Sequence, residues 1–120
     1  MEIQSYRDLR VWQNAMLLAE TTYGITKAFP KAEVFGMTSQ MRRSAASVAA
    51  NIAEGYGCEN KGSYMQFLRI AQGSLKELET HAILSKRVGL CSNDQINTLL
   101  AQAEDVGKML RALIRSLEKA

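Results

Sequence analysis

Apolar positions recur along this chain at intervals of three and four residues, the spacing that lines one face of an α-helix, and nowhere do they alternate as a half-buried strand requires. In the first segment Leu9, Trp12, Met16, Ala19, Tyr23 and Thr26 form one stripe, with Val11, Ala15, Leu18, Thr22 and Ile25 forming a second beside it. Two stripes imply a wide buried face, either one for the subunit's own core and one for a second subunit, or both for a single deep core. Ser5 and Asp8 resemble an acidic capping box, and Phe29-Pro30 ends the helix because the residue before a proline is pushed out of helical conformation. The first helix is therefore expected over about residues 6–28.

After a connector from Lys31 to Gly36, with room for a turn of helix at Ala32 to Phe35, a second helix is expected over about residues 38–56. Its apolar seam is Met37, Met41, Ala45, Val48 and Ile52. A capping box of Ser63 and Gln66 opens a third helix over about 63–88, seamed by Phe67, Ala71, Leu75, Leu78 and Ala82 and stopped by Gly89. Ser92 and Gln95 repeat that box before a fourth over about 93–118, whose apolar face includes Ile96, Leu99, Leu100, Ala103, Val106, Leu110, Leu113, Ile114 and Leu117. Four such helices with short connections predict an all-α fold, an antiparallel up-down-up-down four-helix bundle forming one domain over residues 1–120.

Composition narrows the function classes. With 47% hydrophobic and 22% charged residues the chain reads as a globular domain. No apolar run reaches the roughly 20 residues that span a bilayer, and MEIQSYRDLR has no secretory core, so no membrane partner and a cytoplasmic location are expected. Cys58 and Cys91 lack CxxC spacing and the chain has 1 histidine, so free thiols are expected, with no metal and no cofactor. The net charge of +3 and pI near 9.0 are compatible with RNA or DNA as a partner, and a ring of subunits would multiply that charge.

The second predicted helix carries the polar residues that need an explanation. Gln40, Arg43, Ser47, Asn51 and Glu54 share one line of its surface, Arg42 lies beside them, and Ala46, Ala49, Ala50 and Ala53 keep the adjacent surface shallow. An antiparallel hairpin about Gly57 to Gly62 sets Ser47 level with Gly73, Asn51 with Arg69 and Arg43 with Glu77. Gly73 then reads as a point of close helix approach, and Arg43 as a partner for Glu77 or Glu79. The competing readings are a structural polar network, internal or between subunits, and a phosphate-binding patch at Arg42 and Arg43.

The order FP…E.FGMTSQMRRSAASVAANIAEG followed by FLRIAQGSLKELET resembles the four-helix-bundle proteins encoded in intervening sequences of bacterial large-subunit ribosomal RNA genes, over nearly the whole chain from YRDLRVWQNA onward. The resemblance implies a homo-oligomer, a five-membered ring in relatives, without enzymatic activity. It assigns the shared motif to Phe29, Pro30, Glu33, Gln40, Arg42, Arg43, Ser47, Asn51, Ile52, Ala53, Glu54, Gly55, Ala71, Gly73, Ser74, Glu77 and Glu79. More distantly the chain is similar to the accessory variability protein of diversity-generating retroelements, which implies nucleic-acid binding through a basic surface. Two departures stand out: Val48-Ala49-Ala50 where relatives often have a proline, and Cys58 where they have a basic residue.

Other chemistry finds little support. A di-metal bundle needs Glu-x-x-His pairs on two helices, whereas His81 stands alone. Bundle ribonucleases that place a histidine shortly after an arginine are not matched, since no arginine lies in the ten residues before His81. Acid–base work by Glu54 or Glu77 is not demanded by any spacing. Lys108, Arg111, Arg115 and Lys119 share one face of the fourth helix and form the strongest cationic stripe, readable as a nucleic-acid surface or as a solvated helix end. The expected function is a non-enzymatic, self-assembling bundle associated with nucleic acid; the alternatives are a protein-interaction module without nucleic-acid binding and, more distantly, a hydrolase.

Overall fold

The structure, a computed structural model, describes residues 2–120. Two single turns of 3-10 helix precede the first two α-helices: Tyr6–Asp8 before α1 (Arg10–Thr26), and Lys31–Glu33 before α2 (Met37–Tyr56). The chain then runs through α3 (Lys61–Arg87) and α4 (Asn93–Lys119). Each helix packs on its sequence neighbours, and α1 closes the bundle on α4, giving an antiparallel four-helix rod of 46 × 24 × 22 Å.

The Ser5–Asp8 capping box is present, but it caps the 3-10 turn and not α1. Leu9 is extended, at ψ 125°, and restarts the chain, so α1 begins at Arg10 and not at Tyr6. The Tyr6 ring meets Trp12 edge-on at 5.2 Å, which folds the turn back against the helix. The start of α3 also differs from the sequence reading. Asn60 caps it, its side chain accepting from the Ser63 backbone N–H at 2.8 Å, so the helix begins before the expected Ser63–Gln66 box. α2 begins within one residue of its expected start, α4 starts as read on the reciprocal Ser92–Gln95 box, and Gly89 takes the left-handed φ of +82° that separates α4 from α3.

The core takes about one residue per turn from each helix: Val11, Ala15, Leu18 and Ile25; Met41, Ala45, Val48 and Ile52; Leu68, Ala71, Leu75, Leu78 and Ala82; Ile96, Leu99, Ala103, Val106, Leu110 and Ile114. Three of its buried hydroxyls are satisfied within the chain. Thr22 and Thr26 donate at 2.8 Å to the carbonyls of Leu18 and Thr22, and Ser85 donates to the Met41 sulfur at 3.4 Å.

α2 and α3 approach tightly beside their turn, at Gly55. A methyl group built there would sit 3.0 Å from Phe67 Cβ and Tyr64 Cδ1 and 3.2 Å from the Tyr64 carbonyl oxygen. Tyr64 is half-buried against Tyr56, ring edge to ring face at 6.2 Å, and burial followed by the neighbouring phenol pushes its ionisation up. Gly73, expected at such a contact, is exposed, and a methyl group added there would have no neighbour within 4 Å. The rotation of α3 explains the difference: Ala71, Leu75 and Leu78 point to the core, Ser74 to the seam, and Gly73 to solvent.

Candidate functional site

Three surfaces hold the chemistry-bearing side chains. Along the α2–α3 seam the Ser47 and Ser74 hydroxyls share a hydrogen bond at 2.8 Å, and Asn51 Nδ2 donates to both the carbonyl and the hydroxyl of Ser47, at 2.8 and 3.0 Å. Ser47 therefore faces Ser74 and not Gly73. Gln40, Arg43, Ser44, Ser47 and Glu77 surround a polar hollow of about 380 Å³ one turn further along.

The expected Arg43–carboxylate pair is not formed. Glu79 is held by Lys76 one turn before it, at 2.9 Å, and Arg43 and Glu77 are both exposed, where an ion pair gains little. Glu33 turns away from the seam to accept the Met37 backbone N–H at 3.2 Å, and the exposed Glu54 contributes its backbone carbonyl to Cys58. Within one subunit the hydrogen-bonded part of the network is Ser47, Asn51 and Ser74. Ser74→Ala is expected to cost about 1 kcal/mol in denaturant unfolding, because Ser47 keeps Asn51 as a partner.

Arg42 bridges to α1. Its Nε donates to Thr26 Oγ1 at 2.9 Å, and the guanidinium lies 4.5 Å from the centre of the Tyr23 ring. The Thr26 hydroxyl in turn donates a hydrogen bond to the Thr22 carbonyl, so a short ladder ties α2 to the buried face of α1. Periodicity alone missed this contact, since nothing in it marks Thr26 as the acceptor for an arginine 16 residues later.

The second stripe of α1 stays only half-covered. Met16 and Tyr23 are 38% and 49% exposed, and with Trp12, Ala19, Ala46 and Ala50 they line an apolar groove of about 580 Å³ between α1 and α2. Glu20 stands on its lining. The alanines that let α2 lie shallow are the floor of this groove.

On α4, Lys108, Arg111, Arg115 and Lys119 are all exposed. Lys108 is paired with Glu104 at 3.7 Å, while among the described residues Arg111, Arg115 and Lys119 make no ion pair. Arg111 lines a hollow of about 530 Å³ between α3 and α4 with Lys76, Glu79 and Glu104. Arg69 on α3 pairs with Glu118 at 3.3 Å, which lowers the local positive field.

Among the described residues no group of three or more His, Cys, Asp or Glu side chains is placed to hold a metal ion. His81 Nε2 is buried and makes no hydrogen bond. Cys58 and Cys91 are free, and burial pushes the Cys91 thiol up. No described helix is long and apolar enough to cross a membrane.

Comparison with known proteins gives the same architecture. The family model for 23S rRNA-intervening sequence protein matches residues 7–112. A crystallised protein of unknown function from the S23 ribosomal protein family of Bacteroides thetaiotaomicron is similar in fold, with a TM-score of 0.81 at 23% identity over 88% of this chain and 95% of that one. No curated protein matches the chain. Neither description names a reaction.

Proposed function

As the chain belongs to the 23S rRNA-intervening sequence protein family, we propose that it is a non-enzymatic cytoplasmic bundle that assembles with copies of itself and serves as a nucleic-acid-associated scaffold. The observation that carries the reading is the half-covered second stripe of α1: an apolar groove of about 580 Å³ left open beside the core. A five-membered ring is the assembly suggested by resemblance. The polar side chains of α2 support this role over catalysis, because Ser47, Asn51 and Ser74 satisfy one another across the seam.

The nucleic-acid part rests on cations without carboxylate partners. Arg43 on α2 and Arg111, Arg115 and Lys119 on α4 are exposed and unpaired among the described residues, and Arg42 lines one hollow together with Arg43. In an oligomer these patches repeat, so a mild charge of +3 per subunit adds up over one particle.

Gel-shift titration against structured RNA and duplex DNA over a salt series tests this, with light scattering to count subunits. Binding should weaken steeply with salt, and the triple change Arg111→Gln, Arg115→Gln, Lys119→Gln should lower the magnitude of the log–log slope by roughly 3 with the fold unchanged. Arg43→Gln should also weaken binding without loss of stability. Assembly without binding at low salt would leave a protein-interaction module in place of the scaffold reading, and a monomer at every concentration would remove both.

A further inference from the structure

Phe35 is 95% exposed, at the end of the connector between α1 and α2. Such exposure of an aromatic ring leaves its whole apolar surface in water. Its setting is nonetheless ordered. The Val34 N–H donates to the Lys31 carbonyl at 3.1 Å, the Gly36 N–H to the Glu33 carbonyl at 3.0 Å, and the Met37 N–H to the Glu33 carboxylate at 3.2 Å. The ring is therefore held out on a fixed platform, with Val34 beside it 49% exposed. A pre-ordered aromatic knob loses little freedom when it is buried by a partner.

The molecule also offers a matching recess. The groove on Trp12, Met16, Ala19 and Tyr23 is floored by alanines and has room for an aromatic ring, at about 580 Å³. Tyr23 and Ala46 also line a second hollow that runs past Thr38, Ser39, Arg42 and Arg43 to Val34, so the groove adjoins the foot of the knob. Charge favours a like copy as the occupant. Glu20 on the groove makes no ion pair among the described residues, and the connector that bears Phe35 presents an exposed Lys31 that makes none either.

We infer that Phe35 of one copy seats in the α1–α2 groove of a second copy, with Lys31 facing Glu20 across the rim. The inference rests on the self-assembly reading and names the anchor of that assembly. Because Phe35 and the groove's Ala50 are distinct surface patches on one chain, each can be disabled without touching the other.

The test uses the full chain in three forms: unaltered, Phe35→Asp, and Ala50→Glu, a substitution by a good helix former at an exposed helical position. Sedimentation velocity should show each variant dissociating at concentrations at least roughly 30-fold above those that dissociate the parent, with helical content and melting of the dilute monomer retained. Mixing the two variants should restore association between them, since one intact knob then meets one intact groove. Trp12, the chain's only tryptophan, lines the groove, and its emission should shift to the blue in the parent assembly and the mixture but not in either variant alone. Parent-like assembly of Phe35→Asp, or a mixture that stays dissociated, overturns the inference while leaving self-assembly standing. A parent that is monomeric throughout overturns both.

Discussion

Leu75→Ala is expected to lower the free energy of unfolding by about 3 kcal/mol, within the roughly 2–5 kcal/mol span of leucine truncations in packed cores. Leu75 is 1% exposed in the middle of α3, and its Cδ2 reaches α4 opposite Gly107. A glycine cannot fill the space vacated by the leucine, so the cavity term stays near its full size. The consequence is a specific non-additivity. A methyl group on Gly107 would lie 3.4 Å from Leu75 Cδ2 and from the Arg111 guanidinium, both ends of flexible side chains. Gly107→Ala alone is therefore tolerated, gaining up to about 1 kcal/mol in helix propensity against slight crowding. Placed on the Leu75→Ala background it also returns a carbon to the cavity, so urea unfolding of the four proteins should show a coupling of about 0.5–1 kcal/mol in favour of the double variant. Strict additivity would mean that the two residues do not share the space.

Gly55→Ala and Gly73→Ala should move stability in opposite directions, although both put the same methyl group into a helix. At Gly55 the new carbon meets Phe67 Cβ and Tyr64 Cδ1 at 3.0 Å and the Tyr64 carbonyl oxygen at 3.2 Å. A Cβ and a carbonyl move only with their backbone, so α2 and α3 must part beside their turn, at about 1–3 kcal/mol. That exceeds the propensity gain of about 1 kcal/mol, which is smaller still in the last turn of a helix. At Gly73 the methyl meets open solvent, and the substitution should stabilise the isolated subunit by about 0.5–1 kcal/mol. Thermal melts of the two variants against the parent check both signs in one experiment.

These two glycines also mark how far the sequence could be read. The four helices and most of their core followed from spacing, because burial on one face leaves a periodic trace. The α4 capping box followed from two residue identities at a fixed offset. What periodicity does not carry is the rotation of one helix about its axis against the next. That rotation decided that Ser74, and not its neighbour Gly73, meets Ser47, and that Gly55 is a tight point. Long flexible cations were equally hard to place. Arg43 had Glu77 at the right level, yet both side chains stay exposed without pairing, and Glu79, the other candidate, is engaged by Lys76 within its own helix. Arg42 found Thr26 and Tyr23, partners marked by no charge. The half-covered stripe of α1 was visible as a surplus of apolar positions, but the solitary exposure of Phe35 was not, since a phenylalanine in a short connector reads the same whether it tucks in or stands out.

The order in which the helices pack bears on how the chain reaches this state. Three of the four helix interfaces join neighbours in sequence, and α2 and α3 are linked through only Gly57 to Asn60, so most native contacts can form by closing short loops. The docking of α1 on α4 is the one event that must bring distant parts of the chain together, and it carries most of the topological cost of folding. An early α2–α3 hairpin, completed late by the two outer helices, is the kinetic route this connectivity favours.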